Sequence, residues 1–183
     1  RAAQLRLPPQ GRVLGEEPYR VEPHRASSLV WIQDFTLVAP PAPDFDLASV
    51  KTLVEEAFAK VCRGAVENDG FNRLVIGARL SARDVSVLRA YAKYLRQAGI
   101  AFSQIYMEEA LARNAGIARK IFQLFRALFD PTAQANAAEM ARAIEQVIVK
   151  AFDKVTNLDE DRILRRFLNL VLATRRTNFF QKA

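Results

Sequence analysis

One cysteine and one histidine occur in the whole chain, Cys62 and His24. A single thiol excludes an internal disulfide framework and fits a reducing compartment. A single imidazole cannot build a histidine-rich metal site. With no histidine near the cysteine or near a hydroxyl–acid pair, a nucleophilic triad has no base. Glycine is scarce, seven residues in 183. The phosphate-cradling signatures G-x-G-x-x-G and the P-loop are absent, as are C-x-x-C and H-E-x-x-H. No uninterrupted apolar run approaches the roughly 18 residues of a membrane span. The first residues, "RAAQLRLPPQGR", contain no apolar h-region, so no secretory signal is expected. These absences lead us to expect a cytoplasmic chain off the membrane, with no catalytic, cofactor-binding or metal-binding residues of its own.

What is present is an ordinary soluble composition, 50% apolar and 26% charged. The length suits one domain or a small pair, with room for a sizeable core. A net charge of +7 raises the possibility of a stand-alone basic helical module that binds nucleic acid. The deciding question is whether the charge gathers on one face.

Proline divides the chain. Seven of the eight prolines lie within the first 43 residues, leaving only Pro131 beyond them. Proline lacks a backbone donor and breaks helices, so the early part must be strands and loops. "RVLGEEPYRV" (12–21) and "SLVWIQDFTLV" (28–38) read as two strands long enough apart to pair antiparallel. In the second, Leu29, Trp31, Phe35 and Leu37 share a face with Gln33 among them, and Pro18 in the first suits an edge or bulge. A helix follows, with Asp46 as N-cap. Val50, Leu53, Val54, Ala57, Phe58 and Val61 form its apolar face, and Gly64 ends it.

"ENDG" (67–70) reads as a turn and a boundary. "FNRLVIGAR" after it reads as a short helix, with a strand as the alternative. Ser81 and Asp84 form a capping box for a helix to about Gln97, closed by Gly99. Further helices are expected at 103–113, 115–129, 134–155 and 158–177, with a sharp stop at Asp130-Pro131. The fold class is therefore α+β: a small antiparallel sheet with a packed helix over 1–66, followed by a mainly α-helical domain over 67–183.

Few residues offer chemistry. Cys62 reads as a small packing residue on its helix, and His24 as a loop bystander between Pro23 and Arg25. Adjacent helical residues point about 100° apart, so Glu55–Glu56 and Glu108–Glu109 read as solvated helix surface. In "RAYAKYLRQAG" (89–99), Leu88, Tyr91, Ala92 and Leu95 make a core stripe, with Arg89, Lys93 and Arg96 beside or opposite it. The closing stretch, "DEDRILRRFLNLVLATRRTNFFQ", carries an apolar arc roughly 200° wide. Arg162, Arg165, Arg166, Asn169 and Arg176 occupy the complementary sector. Asp159, Glu160 and Asp161 suit the helix N-terminus, and Asp161 can pair with Arg165. Arg175 falls inside the apolar arc. Arg162, Arg166, Arg175, Phe179 and Phe180 are accordingly the candidate interface residues.

"DGFNRLV", "VLRAYAKYLRQAGIAFSQIYMEEAL", "LFRALFDP" and "LDEDRILRRFLNLVLATRRTNFFQ", in this order and at these spacings, resemble the large bacterial NAD-dependent glutamate dehydrogenases over most of residues 19 to 183. The resemblance implies an excerpt of such an enzyme. A partial ACT-like, ferredoxin-like module would lie over 1–66, and helical segments leading to the catalytic domain over 67–183. An ACT-like module would have a helix between its first two strands, yet only "PPQG" separates "QLRL" from "RVLGEE". The family commonly has an apolar residue where Arg175 stands. By the same resemblance, the parent enzyme oxidatively deaminates L-glutamate to 2-oxoglutarate with NAD. This segment would be a non-catalytic regulatory or scaffolding part, inactive alone and without a cofactor of its own. Its expected partners are the catalytic domain of the same chain and further copies in a homo-oligomer, with nucleic acid not expected.

Overall fold

Two strands open the described part of the chain in the computed structural model, which describes residues 13–21, 30–37, 47–132 and 136–181. Strands β1 (Val13–Val21) and β2 (Val30–Leu37) pair antiparallel, with Tyr19 opposite Ile32 and Pro18 opposite Gln33. The register slips at a bulge between Val13 and Gly15, not at Pro18. Ile32 and Asp34 alternate with the expected apolar face and are exposed. Leu29, His24 and Asp46 lie outside the described residues. An ACT-like module needs four strands and two helices, so a two-stranded ladder does not establish one.

The remaining described elements are helices. Helix α1 (Leu47–Cys62) buries Val50, Ala57 and Val61 along the face its spacing predicts. That face packs on α2 (Arg73–Gly77) and α3 (Ala82–Gln97). The helix expected to cover the sheet thus joins the helical body, because its apolar stripe meets apolar partners there. Cys62, expected to pack, is exposed: it lies one position past the buried stripe at the helix end.

Helices α1 and α3 both stop in Schellman turns. Gly64 (φ 68) and Gly99 (φ 78) take the left-handed conformation. The following amides, Ala65 and Ile100, then reach back to the carbonyls of Lys60 and Leu95. A 3-10 turn (Gly70–Asn72) runs into α2, as the short-helix reading required. Helix α3 starts with the complete Ser81–Asp84 capping box.

Helix α4 (Gln104–Arg113) is capped by the Ser103 hydroxyl, and α5 (Ala115–Phe129) follows directly. The Asp130 carboxylate ends that helix by accepting from the amide and hydroxyl of Thr132 and from Arg126. These bonds, the Thr132 hydroxyl foremost, hold its pKa below the usual carboxylate value.

The last two helices are shorter than their apolar patterns suggest. Helix α6 (Ala137–Phe152) closes where Lys154 and Val155 donate three residues back, to Ala151 and Phe152, tightening the final turn. Helix α7 (Leu158–Ala173) stops at Thr174, whose hydroxyl satisfies the Leu170 carbonyl at 2.7 Å. One apolar cluster links the helices, from Ala57 through Leu88, Leu111, Leu124 and Ile148 to Phe167 and Val171.

Candidate interface around the last helix

Helix α7 is set by its first turn. The Asn157 side chain accepts from the amides of Asp159 (2.9 Å) and Glu160 (3.1 Å), two donors that would otherwise lack partners. Three acids there complement the helix dipole. Ile163, Leu164, Phe167, Leu168 and Val171 are buried, and the helix packs on α3, α4 and α5. Glu160 is buried as well, gripped by Arg113 at 2.7 Å and Asn114 at 2.8 Å from the α4–α5 junction. That hydrogen bond is the main reason the Arg113 pKa is raised. Arg165 pairs with Asp161 (2.8 Å), as i,i+4 spacing predicts, and lies 4.6 Å over the Phe152 ring.

Beyond Ala173 the chain turns back over the body. The hydroxyls of Thr174 and Tyr91 share a hydrogen bond at 2.8 Å, tying the end of α7 to α3. Burial raises the Tyr91 pKa above its ordinary value, and the bond to Thr174 offsets part of that rise. Phe179 and Phe180 then enter an aromatic cluster on α5. Phe179 meets Phe122 and Phe125 edge-on at 6.1 and 5.6 Å, and Phe180 stacks on Phe125 at 6.0 Å. Arg83 covers Phe179, 5.0 Å from the ring centre, and donates to its carbonyl oxygen.

The five candidate residues therefore divide. Phe179 and Phe180 come together, half-buried against the protein's own α5. Arg162 and Arg166 are exposed one turn apart on α7, with Arg162 3.4 Å from Asp159. Arg175 is exposed and lies past the helix end, so its expected place inside the apolar arc is corrected: Thr174 stops the helix first.

A second polar centre escaped sequence reasoning. Arg89 is only 4% exposed, not on the wet side of α3. It donates to both oxygens of Asp69 (2.6 and 2.8 Å) and to Asn72 (3.0 Å), and approaches Glu67 at 3.1 Å. Asp69 also caps the 3-10 turn through the Phe71 amide. Glu108 is likewise buried, where solvated surface was expected, while Glu55 and Glu56 are exposed as read. Its carboxylate accepts from the Gly70 amide (3.1 Å) and from Gln104 (2.9 Å). The available signal was the turn "ENDGFN" with its two acids. Its partners lie 20 and 38 residues away, beyond any local pattern.

Beside this centre a groove of about 450 Å³ is walled by Gly64, Glu67, Ser86, Arg89 and Lys93. Its two cations are answered by Glu67 and Asp69, so it offers an anion no unpaired charge. Among the described residues, no group of three or more His, Cys, Asp or Glu is placed to hold a metal ion. No described helix is long and apolar enough to cross a membrane.

Three family models match in succession. Residues 11–50 match the glutamate dehydrogenase ACT3 domain, and residues 66–131 match glutamate dehydrogenase helical motif 3. Residues 147–183 match the catalytic domain of bacterial NAD-glutamate dehydrogenase, so that model takes up inside α6. The chain is 42% identical over 173 residues to an NAD-specific glutamate dehydrogenase of Pseudomonas aeruginosa, covering 93% of this chain and 11% of that protein. The corresponding protein of Halomonas elongata is 39% identical over 171 residues, covering 93% and 10%. That of Mycobacterium tuberculosis is 41% identical over 175 residues, covering 92% and 11%. The chain thus spans about a tenth of the length of the curated relatives it matches. With three segments matched in order, the chain belongs to the bacterial NAD-dependent glutamate dehydrogenase family.

Proposed function

We propose that this chain is a non-catalytic scaffolding segment of a bacterial NAD-dependent glutamate dehydrogenase, joining an ACT-type regulatory module to the catalytic domain. The parent enzyme oxidises L-glutamate with NAD and water to 2-oxoglutarate, ammonium and reduced cofactor. One observation supports this role above the rest. Residues 66–131 and 147–183 match two different units of the family, yet their side chains share a single hydrophobic core. A shared core moves as one body, so a state imposed on the helical motif reaches the start of the catalytic domain without an intervening hinge.

The proposed division keeps 1–66 as a partial ACT-like module and 67–183 as the helical segment, with α1 the element of the module that docks on α2 and α3. The proposed partners are the catalytic domain of the same chain and other copies in a homo-oligomer, in the cytoplasm. Arg162, Arg166 and Arg175 are the residues we propose to meet them, because all three are exposed.

The test compares this chain with the full-length enzyme, each incubated with glutamate and NAD while reduced-cofactor absorbance is followed. The full-length enzyme is expected to reduce NAD and the chain alone to stay at background. Turnover by the chain alone would defeat the non-catalytic reading. Submicromolar DNA binding with a steep salt dependence would instead favour a nucleic-acid module.

A further inference from the structure

The groove between α5 and α6 opens beside the Arg126–Asp130–Thr132 bonds that end α5. It has a volume of about 560 Å³ and is lined by Gln123 and Ala127 of α5, by Met140 and Ile144 of α6, and at one end by that cluster. Val147 continues the stripe, on the same helix face as Met140 and Ile144 by its i+7 and i+3 spacing. Met140 and Val147 are 45% and 44% exposed. Helix α6 buries only Ala141, Ile148 and Phe152, and its main packing partner is α5. Its apolar arc is wider than one neighbouring helix can cover.

The matches indicate what covers the remainder. The helical-motif match ends at Pro131, directly after α5, and the catalytic-domain match begins at Val147, within the exposed stripe. The seam between these units therefore runs from the end of α5 into α6, and the groove opens beside it. We infer that the α5–α6 groove seats the part of the catalytic domain that lies beyond the stretch matched by 147–183, docking on Met140, Ile144 and Val147. This rests on the reading of the chain as a segment of the larger enzyme.

The chain's two methionines supply the probe: Met140 faces the groove, while Met107 is fully buried and serves as a control. Dilute peroxide converts an accessible methionine to its sulfoxide, which mass spectrometry counts peptide by peptide. In the chain alone Met140 should oxidise readily and Met107 slowly. In the full-length enzyme Met140 should slow at least tenfold, with Met107 unchanged. Val147→Asp should restore fast Met140 oxidation in the full-length enzyme while leaving the melting of the chain alone unchanged. Equal Met140 rates in the two proteins would overturn the inference. Protection that appears in the chain alone as its concentration rises would also overturn it, in favour of a second copy. Glutamate-dependent NAD reduction, measured on the same full-length sample, separates the two readings. An active enzyme with an open Met140 defeats the docking alone, and an inactive one with a protected Met140 defeats the functional reading alone.

Discussion

The carboxylate of Glu108 accepts the Gly70 amide hydrogen at 3.1 Å, joining α4 to a turn 38 residues earlier in the chain. A Cβ at position 70 would overlap Glu108 Oε2 and come within 3.0 Å of the Glu108 Cβ. Gly70→Ala should therefore cost about 1–3 kcal/mol by overpacking. Glu108→Ala should cost a similar amount, about 1–3 kcal/mol, by leaving a buried amide unpaired. The double variant should lose less than the sum, since truncating Glu108 makes room for the new methyl. Urea denaturation of the four proteins measures this, and strictly additive losses would show that the two sites do not communicate.

Arg89 holds both oxygens of Asp69 from a position that is 4% exposed. Arg89→Met should destabilise by about 3–5 kcal/mol, because Asp69 keeps a charge without its partner. Arg89→Lys should recover little of this, since an ammonium cannot reproduce the two-pronged grip. A lysine variant that melts with the parent chain would show that charge alone suffices.

The partly buried Tyr91 hydroxyl predicts an alkaline limit. Burial raises the Tyr91 pKa in the fold, so the folded state retains the phenolic proton more tightly than the unfolded chain does. Its contribution to stability is complete below the ordinary tyrosine pKa of about 10 and is lost as pH rises through the folded value. Stability should fall above about pH 10 more steeply in the parent chain than in Tyr91→Phe. Thermal melts from pH 8 to 11 would test this, and identical slopes would exclude Tyr91 as the source.

The aromatic tail predicts a local opening. Phe179→Ala removes the ring between Arg83 and the Phe122–Phe125 pair and should cost about 2 kcal/mol, below the full cost of a buried phenylalanine because Phe179 is half-exposed. Limited proteolysis should then cut after Arg175 or Arg176 faster, with cleavage inside α5 unchanged. Unchanged tail cleavage would mean the ring does not hold the tail down.

Much of the local structure was legible in the sequence. Serine and aspartate at Ser81 and Asp84 wrote a helix start, and Gly64 and Gly99 wrote two helix ends. Asp130-Pro131 wrote a stop. In each case the determining groups lie within six residues of one another, so a local pattern contains them. The spacing of apolar residues also identified the buried faces of α1 and α7.

Two of the misreadings share one cause. Arg89 and Glu108 looked like wet surface because charges on a helix usually are. Their burial depends on Asp69 and Gly70 arriving from elsewhere in the chain. The apolar pattern of the last helix continued past Ala173, but the Thr174 hydroxyl found Leu170 and Tyr91 and ended it, taking Arg175 out of the arc.

By itself, then, the sequence determined where helices begin, which faces they bury, and the glutamate dehydrogenase family to which the segment belongs. Only the tertiary structure decided that α1 joins the helical body, that Arg89 and Glu108 are buried, and that the tail folds back on α5. Short-range hydrogen bonds and helical periodicity are properties of neighbouring residues. Burial of a charge depends on partners brought together from distant parts of the chain, and only the packed fold brings them together.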